Sequence, residues 1–81
     1  MKLTFFTNYI NHHQVPLAEE FYKLLGDDYV YVATAPLPQS YKDNGYPEYD
    51  NKPYLLKAYE DKASFNKAMD IANSSDVVII G

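Results

Sequence analysis

The stretch FFTNYINHHQVPL, residues 5–17, joins an apolar run to a polar turn and then to the start of a helix. Pro16 marks that start, because proline is favoured in the first turn of a helix. The apolar run predicts a strand over residues 2–7, and its consecutive apolar side chains are typical of a central parallel strand buried on both faces. Ligands of parallel α/β sheets bind beyond the carboxyl ends of such strands. The turn is therefore the first candidate for a site.

The chain after this turn predicts a helix and a second strand. The spacing of apolar residues places the buried stripe of the helix at Leu17, Phe21, Leu24 and Leu25. Gly26 is a typical helix stop, and the run of tyrosine and valine at residues 29–34 is the clearest strand signal in the chain. A strand, a helix and a strand within about thirty residues form a parallel βαβ unit.

A long connection and a third strand follow. Residues 35–53 contain four prolines and one glycine at irregular spacing. A short helical turn is expected within this connection, at residues 39–44. The third strand is predicted at residues 54–59, where Lys57 indicates a sheet edge because charged residues protect exposed strands from pairing.

The end of the chain predicts a helix and a fourth strand. Asp61 is the candidate cap of the helix. The buried stripe of that helix is predicted at Phe65, Ala68, Met69 and Ala72. Residues 77–80, Val-Val-Ile-Ile, predict a parallel strand that no covering helix follows. We therefore expect this strand to be an exposed edge through which the chain self-associates, by edge pairing or swapping and most simply as a twofold dimer.

These elements predict an α/β fold in the order β-α-β-loop-β-α-β. A central first strand gives the parallel sheet order 3-2-1-4 of a Rossmann-like three-layer half domain. A natural domain rarely ends on a bare apolar strand, because such an edge invites aggregation. We therefore expect residues 1–81 to be a single partial Rossmann-like domain of a longer protein.

Composition excludes several classes of protein. Of the 81 residues 47% are hydrophobic, which argues against intrinsic disorder. The net charge of -4 and the lack of a basic stripe argue against a nucleic-acid partner. With 0 cysteines there is no disulfide framework or thiolate metal site, as suits a cytoplasmic protein. The short apolar runs predict neither a signal peptide nor a membrane span.

Nine tyrosines are many for a chain of this length. Four of them lie in or beside the proline-rich connection, at Tyr41, Tyr46, Tyr49 and Tyr54. A tyrosine has an apolar ring and a polar tip, so it serves at the rim of a small core and equally at wet interfaces and sugar sites. We expect these rings to cover the core from its rim.

His12 and His13 are the candidate catalytic residues. Histidine changes its charge near neutral pH and can act as a general base toward a hydroxyl group. Adjacent residues usually point in different directions, so we expect only one of the two rings to face a ligand. The structural alternative is that one ring caps the helix and the other is solvated. We expect no metal site, because two consecutive histidines lack the i, i+4 spacing of a helical metal pair.

The sequence also resembles a known family of enzymes. The resemblance lies in residues 5–17, in residues 21–34 and in the ending Ser-Asp-Val-Val-Ile-Ile-Gly at residues 75–81. These segments resemble the amino terminus of bacterial glycosyltransferases of the GT-B fold, in particular the group 1 transferases of capsular and surface polysaccharide synthesis. The string Asn-His-His-Gln-x-Pro after the first strand carries most of this resemblance.

The resemblance implies a function for the site. In such enzymes the amino-terminal domain contacts the acceptor, and a carboxyl-terminal domain binds the nucleotide-sugar, so no cofactor is expected in this chain. The glycan or lipid-linked acceptor would meet Asn8, Tyr9, Asn11 and Gln14, with His13 or His12 as the catalytic residue. The parent protein would be a cytoplasmic enzyme, or one at the inner face of the membrane. This chain alone, without its carboxyl-terminal partner domain, would be inactive.

The alternative is a protein of a different class. It is a small non-catalytic α/β module, either a ligand-binding domain or a receiver-like domain. Receiver domains need an acidic cluster at the ends of their strands. The first strand here ends in Thr7 and Asn8, and the fourth is followed by Gly81. The receiver version therefore lacks its expected phosphoacceptor.

Overall fold

The computed structural model describes residues 1–10, 12–45 and 52–81. The strands are β1 (Leu3–Thr7), β2 (Tyr29–Ala33), β3 (Leu55–Lys57) and β4 (Val77–Ile80). The helices are α1 (Val15–Leu25), α2 (Gln39–Asp43) and α3 (Lys62–Ser74), with one 3-10 turn at Gly26–Asp28. Within these ranges, four parallel strands form one sheet in the order β3-β2-β1-β4. The predicted α/β fold, the strand order and the short helix in the long connection are confirmed.

The two faces of the sheet are covered by different helices. Alternate residues of a strand point to opposite faces. Leu3 and Tyr31 therefore share a face and pack with Ala18 of α1. On the other face, Val32 packs with Ala68 of α3. Helices on both sides of a parallel sheet give the three layers of a Rossmann-like half domain.

Tyrosines form part of the core itself. Tyr29, Tyr31 and Tyr54 are only 2%, 1% and 3% exposed. The ring of Tyr29 lies 5.4 Å from that of Phe21 and 5.6 Å from that of Tyr54. The expectation that the rings only cover the core from its rim is wrong for Tyr54, because its ring fills the space between α1 and β2. Tyr46 and Tyr49 lie outside the described residues.

The polar tip of Tyr54 reaches an ion pair at the surface. The Nζ of Lys52 lies 2.5 Å from an oxygen of Glu19 on α1. The Lys52 ammonium lowers the pKa of the Glu19 carboxyl, and a hydrogen bond from Tyr54 lowers it further. The pair joins α1 to the segment that enters β3.

The predicted helix stripes are partly wrong. Leu17 and Leu24 are 57% and 80% exposed. The buried side of α1 is instead formed by Val15, Ala18, Phe21, Tyr22 and Leu25. In α3, Ala68 is fully buried as predicted, whereas Phe65 and Met69 are 48% and 37% exposed. Ala18 and Ala68 are the buried residues of α1 and α3, so the sides of the helices that carry them face the sheet.

The predicted helix ends are confirmed. Gly26 ends α1 with a φ of 57°, a left-handed conformation that favours glycine. Asp61 caps α3, because its side chain accepts a hydrogen bond of 2.7 Å from the backbone N–H of Ser64. Pro16 lies in the first turn of α1, as expected. No helix in the part of the chain that the structure describes is long and apolar enough to cross a bilayer.

Both edges of the sheet match the sequence pattern. β3, with Lys57, lies at one edge, and β4 lies at the other. Val78 and Ile80 of β4 are 43% and 84% exposed. The apolar edge strand that the sequence predicted is therefore present.

Candidate functional site

The carboxyl ends of β1, β2 and β4 meet at one edge of the sheet. The N–H of Thr34 donates to the carbonyl oxygen of Thr7 over 3.0 Å, and the Thr34 hydroxyl donates to the same oxygen over 3.1 Å. The backbone N–H of Ala35 donates a hydrogen bond to the carbonyl oxygen of Asn8, and the backbone N–H of Gly81 donates one to the carbonyl oxygen of Phe6. These bonds fix the first residues beyond three neighbouring strands, so side chains on them have defined positions.

A groove of ≈ 430 Å³ opens at this edge, on the face that carries α3. Its polar end is formed by Thr7, Asn8 and Thr34. Its apolar wall includes Phe6, Met69 and Ile80. The groove can offer hydroxyl and amide groups to one end of a ligand and an apolar surface to the rest. We call it the β4 groove.

The turn between β1 and α1 leaves the same edge toward the opposite face. Ile10 anchors the turn, because it is 8% exposed and packs in the core cluster beside α1. Asn8 at the start of the turn is exposed. Asn11, a predicted acceptor contact, lies outside the described residues.

His12 and His13 lie side by side on this turn. Their ring centroids are 4.0 Å apart, with an angle of 39° between the ring planes. The expectation that the two adjacent side chains point in different directions is wrong, because the turn conformation of this segment places the two rings side by side in a tilted arrangement. His12 is half-buried, and His13 is exposed. Neither histidine is the N-cap of α1, a position held by Gln14.

Gln14 is held by a residue that the sequence did not single out for the site. The hydroxyl of Tyr31 donates a hydrogen bond to the side-chain oxygen of Gln14. Burial raises the pKa of Tyr31 well above its usual value, so the phenol stays protonated and remains a donor at neutral pH. Gln14 is predicted to contact the acceptor, and the structure shows that its oxygen also serves this internal bond.

Tyr9 joins the turn to the short helix α2. Its ring meets that of Tyr41 edge to face, with centroids 5.6 Å apart. A hydrogen bond with Tyr41 raises the pKa of Tyr9 above its usual value. Tyr41 was noted in the sequence only as one of the clustered tyrosines. The sequence could have predicted that Tyr41 lies near the site, because Tyr41 is in the short helical turn after the second strand. Loops that follow neighbouring parallel strands meet at one edge of the sheet.

The structure divides the predicted site into two parts. Of the predicted residues, Asn8 is among those that line the β4 groove. Tyr9, His12, His13 and Gln14 lie on the turn that leads to the α1 face. Asn8 begins that turn, so it is the residue that joins the two parts.

No group of three or more histidine or acidic side chains within the described ranges could hold a metal ion. The polar atoms that the edge offers are hydroxyl, amide and imidazole groups. They are suited to hydrogen bonding and proton transfer.

Comparison with known proteins gives no family for the chain. No protein-family model, no curated protein and no solved structure matches it. The resemblance to GT-B glycosyltransferases therefore rests on the sequence segments quoted above.

Proposed function

We propose that this chain is the acceptor-side part of a GT-B glycosyltransferase, which transfers a sugar from a nucleotide-sugar to a glycan or lipid-linked acceptor. The observation that carries the proposal is the polar edge beyond β1, where Asn8 lines the β4 groove and begins the turn that presents His12 and His13. Ligands of doubly wound sheets bind at this edge. A cytoplasmic enzyme, working at the inner face of the membrane on a lipid-linked acceptor, fits the same proposal.

The chemistry of the edge suits an acceptor that carries hydroxyl groups. The Asn8 amide can donate a hydrogen bond to a sugar hydroxyl and accept one from it, and the Thr34 hydroxyl, which donates to Thr7, can accept one. An exposed imidazole such as that of His13 can take the proton of the hydroxyl that attacks the donor. Gln14 is held by Tyr31, so the turn presents the neighbouring imidazole of His13 from a fixed position.

In this proposal the nucleotide-sugar binds a carboxyl-terminal domain that is separate from residues 1–81. Transfer requires donor and acceptor to be held together in near-attack geometry. The isolated 81-residue chain is therefore expected to bind acceptor weakly and to transfer no sugar. Transfer or hydrolysis of a nucleotide-sugar by the pure chain would contradict this part of the proposal.

Nuclear magnetic resonance can test the proposal on the chain itself. Amide spectra would be recorded during titration with a panel of neutral and acidic oligosaccharides, and separately with UDP-glucose. We expect an oligosaccharide to shift the amides of Thr7, Asn8 and Thr34, and UDP-glucose to shift none of them. Asn8→Ala should abolish the oligosaccharide shifts, and the exposed Asn66→Ala on α3 is the matched control. Binding of UDP-glucose at this edge, or no response to any oligosaccharide, would contradict the proposal.

The apolar wall of the β4 groove favours a second candidate, a non-catalytic α/β module that binds an apolar ligand. Phe6, Met69 and Ile80 form a wall of this kind, and apolar pockets with a few polar groups are typical of small-molecule sites. The same spectra recorded with a medium-chain fatty acid distinguish the two. Shifts at Met69 and Ile80 with the fatty acid, without a response to any oligosaccharide, would favour the binding module.

A further inference from the structure

Two tyrosines meet at the carboxyl edge of the sheet, outside the core. Tyr9 follows β1, and Tyr41 lies in α2, which follows β2. Both strands are interior, since β1 lies between β2 and β4 and β2 lies between β3 and β1. The place where the rings meet therefore does not depend on what lies beside either outer strand. Within the described residues, both side chains are half-buried, and neither is among those that form the two core clusters or pack against them.

The contact between the two tyrosines orders both rings. They meet edge to face, with centroids 5.6 Å apart and an angle of 79° between the ring planes. A hydrogen bond joins the two phenol groups and raises the pKa of Tyr9. The segments that carry the rings are also bonded to each other, because the backbone N–H of Ala35 donates to the carbonyl oxygen of Asn8 over 2.6 Å. An aromatic surface that is ordered in advance costs less entropy when it binds a ligand.

We propose that Tyr9 and Tyr41 form a stacking platform for one sugar ring of the acceptor, a pyranose that has a face of C–H groups. This inference rests on the proposed function and names the feature of the acceptor that the edge recognises. The C–H groups of a pyranose carry a small positive charge, as the edge of an aromatic ring does, so they are attracted to the negative face of a tyrosine ring.

The chemistry around the pair favours a sugar ring over an alkyl chain. Each tyrosine is apolar on its ring faces and polar at its hydroxyl, and a pyranose shows the same division between its C–H face and its hydroxyl rim. Asn8 is exposed and precedes Tyr9 in the chain, so its amide can bind hydroxyl groups at the rim of the same sugar. An alkyl chain would leave these polar groups without new partners.

Intermolecular nuclear Overhauser effects test the platform on the unmodified chain. The chain with labelled tyrosine rings would be mixed with cellotriose, whose glucose rings have C–H groups on both faces. We expect effects between the sugar C–H protons and the rings of Tyr9 and Tyr41. Tyr59, an exposed tyrosine that follows β3, should show none. Sorbitol, which has the hydroxyl groups of glucose but no pyranose ring, should show none with any of the three.

Substitution of Tyr41 separates the ring from its hydroxyl. Loss of a stacking ring costs roughly fivefold or more in affinity at nucleic-acid sites, and we expect Tyr41→Ala to weaken cellotriose binding by about tenfold. Tyr41→Phe keeps the ring and should bind within about threefold of the original chain. Tyr59→Ala is the matched control and should leave binding unchanged. Amide shifts during the titration measure the affinities, and thermal denaturation shows whether each variant is folded.

Three outcomes would overturn the platform. The first is the absence of contacts between cellotriose and the pair. The second is an equal loss of binding in Tyr41→Phe and Tyr41→Ala, which would assign binding to the hydroxyl. The third is contact of the pair with the uracil ring of UDP and none with cellotriose, which would assign the pair to a nucleotide.

The platform and the proposed function can fail separately. If oligosaccharides shift the amides of Thr7, Asn8 and Thr34 without touching the two rings, the platform is wrong and the acceptor site stands. If cellotriose touches the two rings and no oligosaccharide shifts those amides, the sugar platform stands and the proposed acceptor site is wrong.

Discussion

The hydroxyl of Tyr31, in the middle of β2, donates a hydrogen bond to the side-chain oxygen of Gln14, the N-cap residue of α1. The bond joins two residues that are 17 positions apart. It connects the buried sheet to the turn that carries both histidines. The position of the candidate site therefore depends on a tyrosine in the core.

Tyr31→Phe should destabilise the chain and change the turn. The variant keeps the ring and removes the donor, which leaves the Gln14 oxygen without this partner. The expected loss in the free energy of unfolding is about 1–2 kcal/mol, as for other part-buried hydrogen bonds. Urea denaturation measures it, and the amide spectrum should change at His12 and His13. Gln14→Ala, alone and combined with Tyr31→Phe, is the control. Additive losses in the double variant would show that the two residues do not interact.

Much of the fold could be predicted because its signals are local. β1, β2 and β4 are runs of β-branched and aromatic residues, and they were placed to within about one residue. Pro16, Gly26 and Asp61 mark helix ends through their own backbone or side-chain chemistry. Such signals do not depend on what the element packs against.

The packing faces and the site could be predicted less well because they depend on distant contacts. Leu24 and Leu25 are equally apolar, yet Leu24 is 80% exposed and Leu25 packs on the core. The choice between them is set by which side of α1 faces the sheet, and this is the side that carries the buried Ala18. Likewise the sequence identified the turn after β1 as a candidate site. It gave no sign that Tyr31, in the middle of β2, holds this turn through Gln14.

The buried phenols should make the protein sensitive to alkali. Burial raises the pKa of Tyr29 to about 12 and raises that of Tyr31 further, whereas an unfolded tyrosine has a pKa near 10. Their stabilising contribution is fully present below about pH 10 and is lost as the pH rises through the folded-state values. The free energy of unfolding should fall by about 1.4 kcal/mol per pH unit for each phenol above about pH 10. Urea denaturation at a series of alkaline pH values measures this slope.

Tyr29→Phe is the control for the loss of stability at alkaline pH, because this variant removes one of the two phenol hydroxyls and keeps the ring. It should reduce the slope by about half, and the exposed Tyr59→Phe should leave it unchanged. A stability that does not change between about pH 9 and about pH 11 would show that neither phenol is protected from ionisation.

The N-terminal cap of α3 should make the stability of the protein depend on pH in the acid range. The backbone N–H of Ser64 bonds the Asp61 carboxylate and lowers its pKa below the usual value of 3.8. The contribution of this carboxylate is therefore present at neutral pH and is lost as the pH falls below that value. Asp61→Ala should lower the Tm at neutral pH by about 4–8 °C, and the difference from the original chain should shrink in acid. Asp70→Ala, in the middle of the same helix, should change the Tm far less. An equal effect of both variants would indicate that charge, and not capping, is responsible.

In the full-length enzyme that we propose, His13→Ala should reduce turnover more than His12→Ala. His13 is exposed and next to the N-cap residue Gln14, whereas the ring of His12 is half-buried and its centroid lies 4.0 Å from that of His13. Loss of a general base costs about 100-fold to 10,000-fold in rate, so His13→Ala should fall in that range. His12→Ala removes a ring that lies beside that of His13 and should act mainly through the position of the His13 ring. Steady-state kinetics with matched thermal denaturation separates a lost base from a lost fold. Near-normal turnover in both variants would reduce the pair to structural residues, and a larger effect at His12 would assign the base to the half-buried ring.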